Sequence, residues 1–205
     1  MIINMEGSFD IPADYFERMP EDVTHAARMA INDVAKGPAL RRAREEVGDQ
    51  VNFPAGYLTG DRLGVSKLAR NHDLEAVITG RDRPTSLARF VRNPRPGQRG
   101  VMVEVHKGSA QYMKKAFLLR LRSGRVMDGQ TFNIGLAIRL APGEKIHNRR
   151  EAANVNYSSL GNGVVLLYGP SVDQVFRSVS DDIAPEVGDM AVAEFWRQFA
   201  RLTDG

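Results

Sequence analysis

No cysteine occurs among the 205 residues. Disulfides, thiolate nucleophiles and cysteine-based zinc sites are thereby excluded. Histidine is scarce: His25, His72, His106 and His147 are scattered, with no pair at metal-ligand spacing, so each reads as a surface or packing residue. Long apolar runs are missing too; none approaches the roughly 20 residues a membrane-spanning helix needs. The opening Met1-Ile2-Ile3-Asn4-Met5-Glu6 lacks the basic start and long apolar core of a secretory signal, so we expect a soluble protein made in cytoplasm. There is no Walker motif, nucleophile elbow or dinucleotide fingerprint. Asp181-Asp182 and Glu45-Glu46 are adjacent pairs, and adjacent residues on a helix do not share a face, which makes them poor acid–base dyads. The expectation is a protein that is not an enzyme, with no catalytic residue, no cofactor and no metal.

What is present is ordinary in amount and uneven in distribution. Hydrophobic residues make up 42% and charged residues 26%, which suits a soluble globular chain folded as a single domain over residues 1–205. The net charge of +3 hides a split: Arg62 to Arg150 holds 19 Lys/Arg against 6 Asp/Glu, a net of +13, so the remainder carries −10. A polyanion partner, or copies that pair basic with acidic surface, would account for such a split. A solvated basic sheet and solvated acidic helices would account for it equally well.

The best-specified stretch is Val164 to Leu202. Val164-Val165-Leu166-Leu167-Tyr168 reads as a buried strand stopped by Gly169-Pro170. Ser171 and Gln174 fit a capping box, and Val172, Val175, Phe176, Val179 and Ile183 recur at helical spacing. Pro185 marks a place where that helix breaks or restarts. Near the other end, Pro20-Glu21-Asp22 suits a helix start, Ala26, Ala30 and Val34 share a face, Gly37 ends the helix and Pro38 opens a second. Strands are expected at Leu74 to Gly80, Gly100 to Lys107, Ala116 to Arg122, Asn133 to Leu140 and Val164 to Tyr168. The fold class is therefore α+β: an antiparallel β-sheet packed by N-terminal helices and a long C-terminal helix, with extended loops and an N-terminal arm over residues 1–20.

Two polar connections stand out. Residues 81–99 form a basic, proline-marked loop carrying Arg81, Arg83, Arg89, Arg92, Arg95 and Arg99. Residues 141–163 form a long polar loop with Lys145, Arg149 and Arg150, and Gly161-Asn162-Gly163 is turn chemistry. Arginines hold phosphates and carboxylates by charge-assisted, often bidentate hydrogen bonds, so these residues with Arg120, Arg122 and Arg125 are the candidate interface set for a phosphate or protein partner. Phe90 is the lone aromatic in the basic loop, which weakens a single-strand stacking platform. A non-specific nucleic-acid-binding protein is the alternative, and an enzyme with an unrecognised site a distant third.

Three blocks in order resemble a known family. Ala26-Ala27-Arg28-Met29-Ala30-Ile31-Asn32-Asp33-Val34-Ala35 looks like the first helix of the bacteriophage minor tail protein Z family. The strand Ala116 to Arg125 ending in Ser123-Gly124, and Tyr168-Gly169-Pro170-Ser171-Val172 leading into the C-terminal helix, are similar to that family's pattern. The resemblance spans roughly residues 23–202 and implies a tail-completion, or neck, protein of the head–tail connector type. It implies a homo-oligomeric ring assembled in the host bacterial cytoplasm and resident in the virion. The implied partners are other tail and neck proteins (connector, tail terminator or tube), with non-specific contact to genomic dsDNA and no membrane. The family has no catalytic residues to carry over.

Overall fold

Residues that repeat at helical spacing near both ends of the chain do form helices, and the alternating segments between them form strands. The computed structural model describes residues 21–93, 99–121, 133–144 and 157–203. The architecture is α+β, with antiparallel sheets, N-terminal helices and a long C-terminal helix. The chain divides into two units: Met1–Val47, Leu58–Arg81 and Val172–Gly205 make up a helical unit, and Gly48–Tyr57 with Asp82–Ser171 a sheet unit.

In the helical unit, α1 (Glu21–Val34) runs antiparallel to α3 (Val172–Thr203). Their order is fixed by contacts that climb one helix as they descend the other: Met29 meets Arg201, Asp33 meets Gln198, and Arg42 of α2 (Leu40–Gln50) meets Glu186. Ala26 and Ala30 are buried, and their small side chains let the helices approach closely. The N-terminal half of α3 buries Phe176, Val179 and Ile183 completely. Beneath the helices, β1 (Leu63–Lys67) pairs antiparallel with β2 (Val77–Gly80). Asn32 clasps the chain just past β1: its Nδ2 donates to the Ala69 carbonyl at 3.0 Å and its Oδ1 accepts from the Ala69 N–H at 2.8 Å. Gly80 leaves room for the start of α3, since a Cβ there would lie 2.6 Å from the Asp173 Cα.

The sheet unit contains β3 (Thr85–Ser86), β4 (Arg99–Glu104), β5 (Ala110–Leu121), β6 (Asn133–Arg139), β7 (Tyr157–Gly161) and β8 (Val164–Gly169). The strand order is β3-β8-β6-β5-β4, with β7 also paired to β8, and every pairing is antiparallel. Cross-strand partners share a face, so the register Leu118↔Leu136 and Leu136↔Leu167 aligns one apolar row. Phe90, in the 3₁₀ turn Leu87–Phe90, lies against Gly169 in that same alternation. Phe53 stacks on Tyr57 at 5.3 Å and meets Phe90 at 5.6 Å, and the Tyr57 hydroxyl lies 3.2 Å from the hydroxyl of the buried Thr85.

Four local expectations need correction. Gly37 and Pro38 do not separate two helices; the chain passes from α1 to α2 through a π-helical turn, Ala35–Ala39. Proline lacks an N–H and its ring crowds the carbonyl four residues back, and a widened turn relieves both. Pro185 likewise sits inside α3 without ending it, at an exposed position where solvent can take the carbonyl it leaves unbonded. The basic loop is anchored structure over much of its length, because Thr85 and Phe90 are buried and Val91 bridges to Val103. The 141–163 loop contains β7, which returns through Asn162 (φ 51°) into β8. The arm over residues 1–20 and the Ser123-Gly124 turn lie outside the described residues.

Candidate nucleic-acid and assembly interface

The candidate arginines do not form one group. Arg81 belongs to the helical unit, half-buried at the end of β2. Its N–H donates to the Arg62 carbonyl at 2.8 Å and its carbonyl accepts from the Asp173 N–H at 3.2 Å, so its backbone ties β2 to the head of α3. The others belong to the sheet unit. Arg83 is exposed. Arg89 lies with its guanidinium carbon 5.1 Å from the centre of the Tyr57 ring, a cation–π arrangement at the surface. Arg120 is exposed on β5, across from Ile134. Arg99 pairs opposite Phe117 through its backbone. Arg95, Arg122, Arg125, Lys145, Arg149 and Arg150 lie outside the described residues.

Arg92 has a structural partner. Its Nε donates to the buried carboxylate of Glu104, which also accepts from the Gly108 N–H at 2.7 Å. The Gly108 N–H first, and then Arg92, hold the Glu104 carboxyl below the usual carboxylate range. Meanwhile the Arg92 N–H donates to the Met102 carbonyl at 2.9 Å. This arginine fastens the basic segment to β4 and the turn beyond it, which leaves Arg83, Arg89 and Arg120 as the described candidates that project outward.

Sequence reasoning missed the lysines of β5. Ala110 to Met113 pair with β4 alone, Lys114 and Lys115 sit where that register shifts, and the β6 ladder begins at Ala116. The sequence offered a faint signal in Lys114-Lys115, since adjacent lysines commonly protect a strand edge from unwanted pairing. Lys115 donates to Glu144 at 3.1 Å, and Glu144 is held low in pKa by the Ala141 N–H and then by that lysine. Lys114 is exposed. Tyr112, directly opposite Met102, lies over Gly100, whose φ of 77° and missing side chain admit the ring.

The helical unit holds a cleft of about 270 Å³ lined by Ile31, Val34, Ala39, Leu74, Val187 and Ala191, with Glu75 as its one charged wall residue. That carboxylate is held by Lys67, which also reaches Asp73 at 2.7 Å; Asp73 and then Glu75 raise the Lys67 pKa. Such a lining suits an apolar side chain and offers no nucleophile. Among the described residues, no group of three or more His, Cys, Asp or Glu could hold a metal ion, and no helix is long and apolar enough to cross a membrane. Comparisons with family models, curated proteins and solved structures give no match to this chain.

Proposed function

We propose that this chain is a structural virion protein of a bacteriophage, a tail-completion or neck component rather than an enzyme. In this reading, copies assemble into a ring that joins the tail to the head-proximal connector around the DNA channel. The observation that carries it is the division of charge between the units. From the sequence, the helical unit holds 13 Lys/Arg against 19 Asp/Glu, and the sheet unit 15 against 6. Opposite surplus charge on two parts of one chain favours head-to-tail association of copies, which closes into a ring when the rotation permits. The α+β architecture agrees with the fold that the resemblance to minor tail protein Z implies. Exposed Arg83, Arg89 and Arg120 then serve as contacts to acidic neighbours or to DNA phosphates.

The test is the mass of the purified protein at low and high salt, followed by negative-stain imaging. Rings, or an oligomer that salt dissociates, support the proposal. A strict monomer that retards any DNA, with a steep salt dependence, replaces it with the reading of a non-specific nucleic-acid binder.

A further inference from the structure

The last four turns of α3 carry apolar residues on more than the side that meets α1. Val192 is 57% exposed and Trp196 61% exposed, although both are large and apolar. Trp196 is held in place: its ring lies 5.2 Å from Phe195 and 6.1 Å from Phe199, edge-on to both. Counting back from Trp196 in steps of seven gives Asp189 and Asp182, so an acidic row and an aromatic anchor share one exposed helix face. Neither aspartate has an ion-pair partner among the described residues. A rigid, desolvation-ready aromatic with a charged rim is the anatomy of a protein interface rather than of a solvated helix face.

The sheet unit presents the converse. Tyr112 is 62% and Met102 39% exposed, side by side across the β4–β5 ladder, with exposed Lys114 two residues along the strand. Here an aromatic and a thioether sit beside cationic charge, where α3 sets an aromatic beside anionic charge. We infer that the Asp182–Asp189–Trp196 face of α3 docks on a second copy of this chain, at its Met102–Tyr112–Lys114 surface. The occupant is chosen by charge complementarity, supported by an exposed apolar centre on each side. Because the two surfaces differ, the contact is heterologous and propagates from copy to copy. This inference rests on the self-assembly in the proposed function and not on its phage setting.

Trp196 is the only tryptophan in the chain, so its fluorescence reports this face alone. Emission and acrylamide quenching are measured over a concentration series beside sedimentation velocity, at low salt and at ~1 M salt, where the Debye length is about 3 Å. As mass rises, emission should move to the blue and quenching fall, and high salt should reverse both. Asp182→Lys with Asp189→Lys, and separately Lys114→Glu, should each weaken association roughly tenfold or more. All three changes in one chain should recover part of that affinity, with circular dichroism verifying an unchanged fold. A rising mass with unchanged Trp196 emission overturns this contact while leaving self-assembly standing. A monomer at every concentration overturns both. Quenching protection in the monomer, independent of concentration, gives the face to another part of the same chain and also overturns the proposal.

Discussion

The helical and sheet units use charge in opposite ways. In the sheet unit acids are few, and three of them are engaged: Asp49 with Lys107, Glu104 with Arg92 and Glu144 with Lys115. Each such acid ties together chain segments distant in sequence, and the cations left over, Arg83 and Lys114 among them, face outward. In the helical unit cations take the connecting role. Arg42 holds Glu46 and Glu186, Lys67 holds Asp73 and Glu75, and Arg177 holds Asp173, while Asp182 and Asp189 stay outside any such pair. In both units several charges of the scarcer sign are engaged in such pairs, while charges of the commoner sign are left to face water. Exposed pairs of this kind add little stability, so the division has more to do with what each surface attracts than with holding either unit together.

Each unit buries apolar residues of its own, and the sharpest way to break the comparison is to empty one of these sets. Phe176→Ala in the helical unit and Phe90→Ala in the sheet unit should each cost about 3–5 kcal/mol. Peptide-resolved hydrogen exchange should show Phe176→Ala losing protection first in α1, β1, β2 and α3, and Phe90→Ala losing it first in β3 to β8. Equal loss across both sets in both variants would mean that the units unfold as one.

Asn32→Ala is next in size. It removes both hydrogen bonds to Ala69, which is itself buried, and leaves a backbone N–H and carbonyl without them. A loss of about 1–3 kcal/mol is expected from chemical denaturation. Asn32→Asp should fare little better, because a carboxylate can accept from the N–H but cannot donate to the carbonyl. If either variant were as stable as the parent, the clasp would be incidental to the helical unit.

Much of the fold was legible from periodicity alone. Alternation located β4 and β6, a continuous apolar run located β8, and helical spacing located α1 and α3, because in those segments residue type follows burial. The misses have two causes. Ala110 to Lys115 of β5 and most of β7 are exposed or half-buried on both faces, so nothing in their side chains alternates and only backbone pairing defines them. Gly37, Pro38 and Pro185 are local stop signals that helix packing overrode. For the interface the sequence named the basic region but could not separate Arg92, bound to Glu104 from another strand, from outward-facing Arg83. That distinction is made by residues far apart in the chain.

Acid should distinguish the units by a smaller effect. Glu104 and Glu144 in the sheet unit have carboxyls held below their ordinary pKa, by backbone N–H groups first and by cations second. Their unfolded forms bind protons at higher pH, so their stabilisation is present above the usual carboxylate range and is lost as pH falls through the lowered folded values. Glu194, held low chiefly by Arg197, gives the helical unit one such group. Sheet-unit protection should therefore fall more steeply on acidification. Glu104→Gln should lower stability at neutral pH and flatten that slope; an unchanged slope would show that Glu104 is not a main source of it.

The smallest expected effect is the one that decides what Arg89 is for. Arg89→Ala removes its cation–π interaction with the buried Tyr57 and should cost about 0.5–1 kcal/mol, since the arginine itself is exposed. Arg83→Ala removes the same charge from an exposed position outside the aromatic cluster, and should alter stability by less than about 0.5 kcal/mol. On a polyanion the ranking reverses its meaning: abolishing one arginine–phosphate pairing should reduce the slope of log affinity against log salt by about 0.9. If both variants flatten that slope alike, the two arginines serve a ligand, and stacking on Tyr57 merely holds one of them ready. If Arg89→Ala costs stability and leaves the slope untouched, this arginine belongs to the sheet unit's core, and the outward-facing basic surface shrinks to Arg83, Lys114 and Arg120.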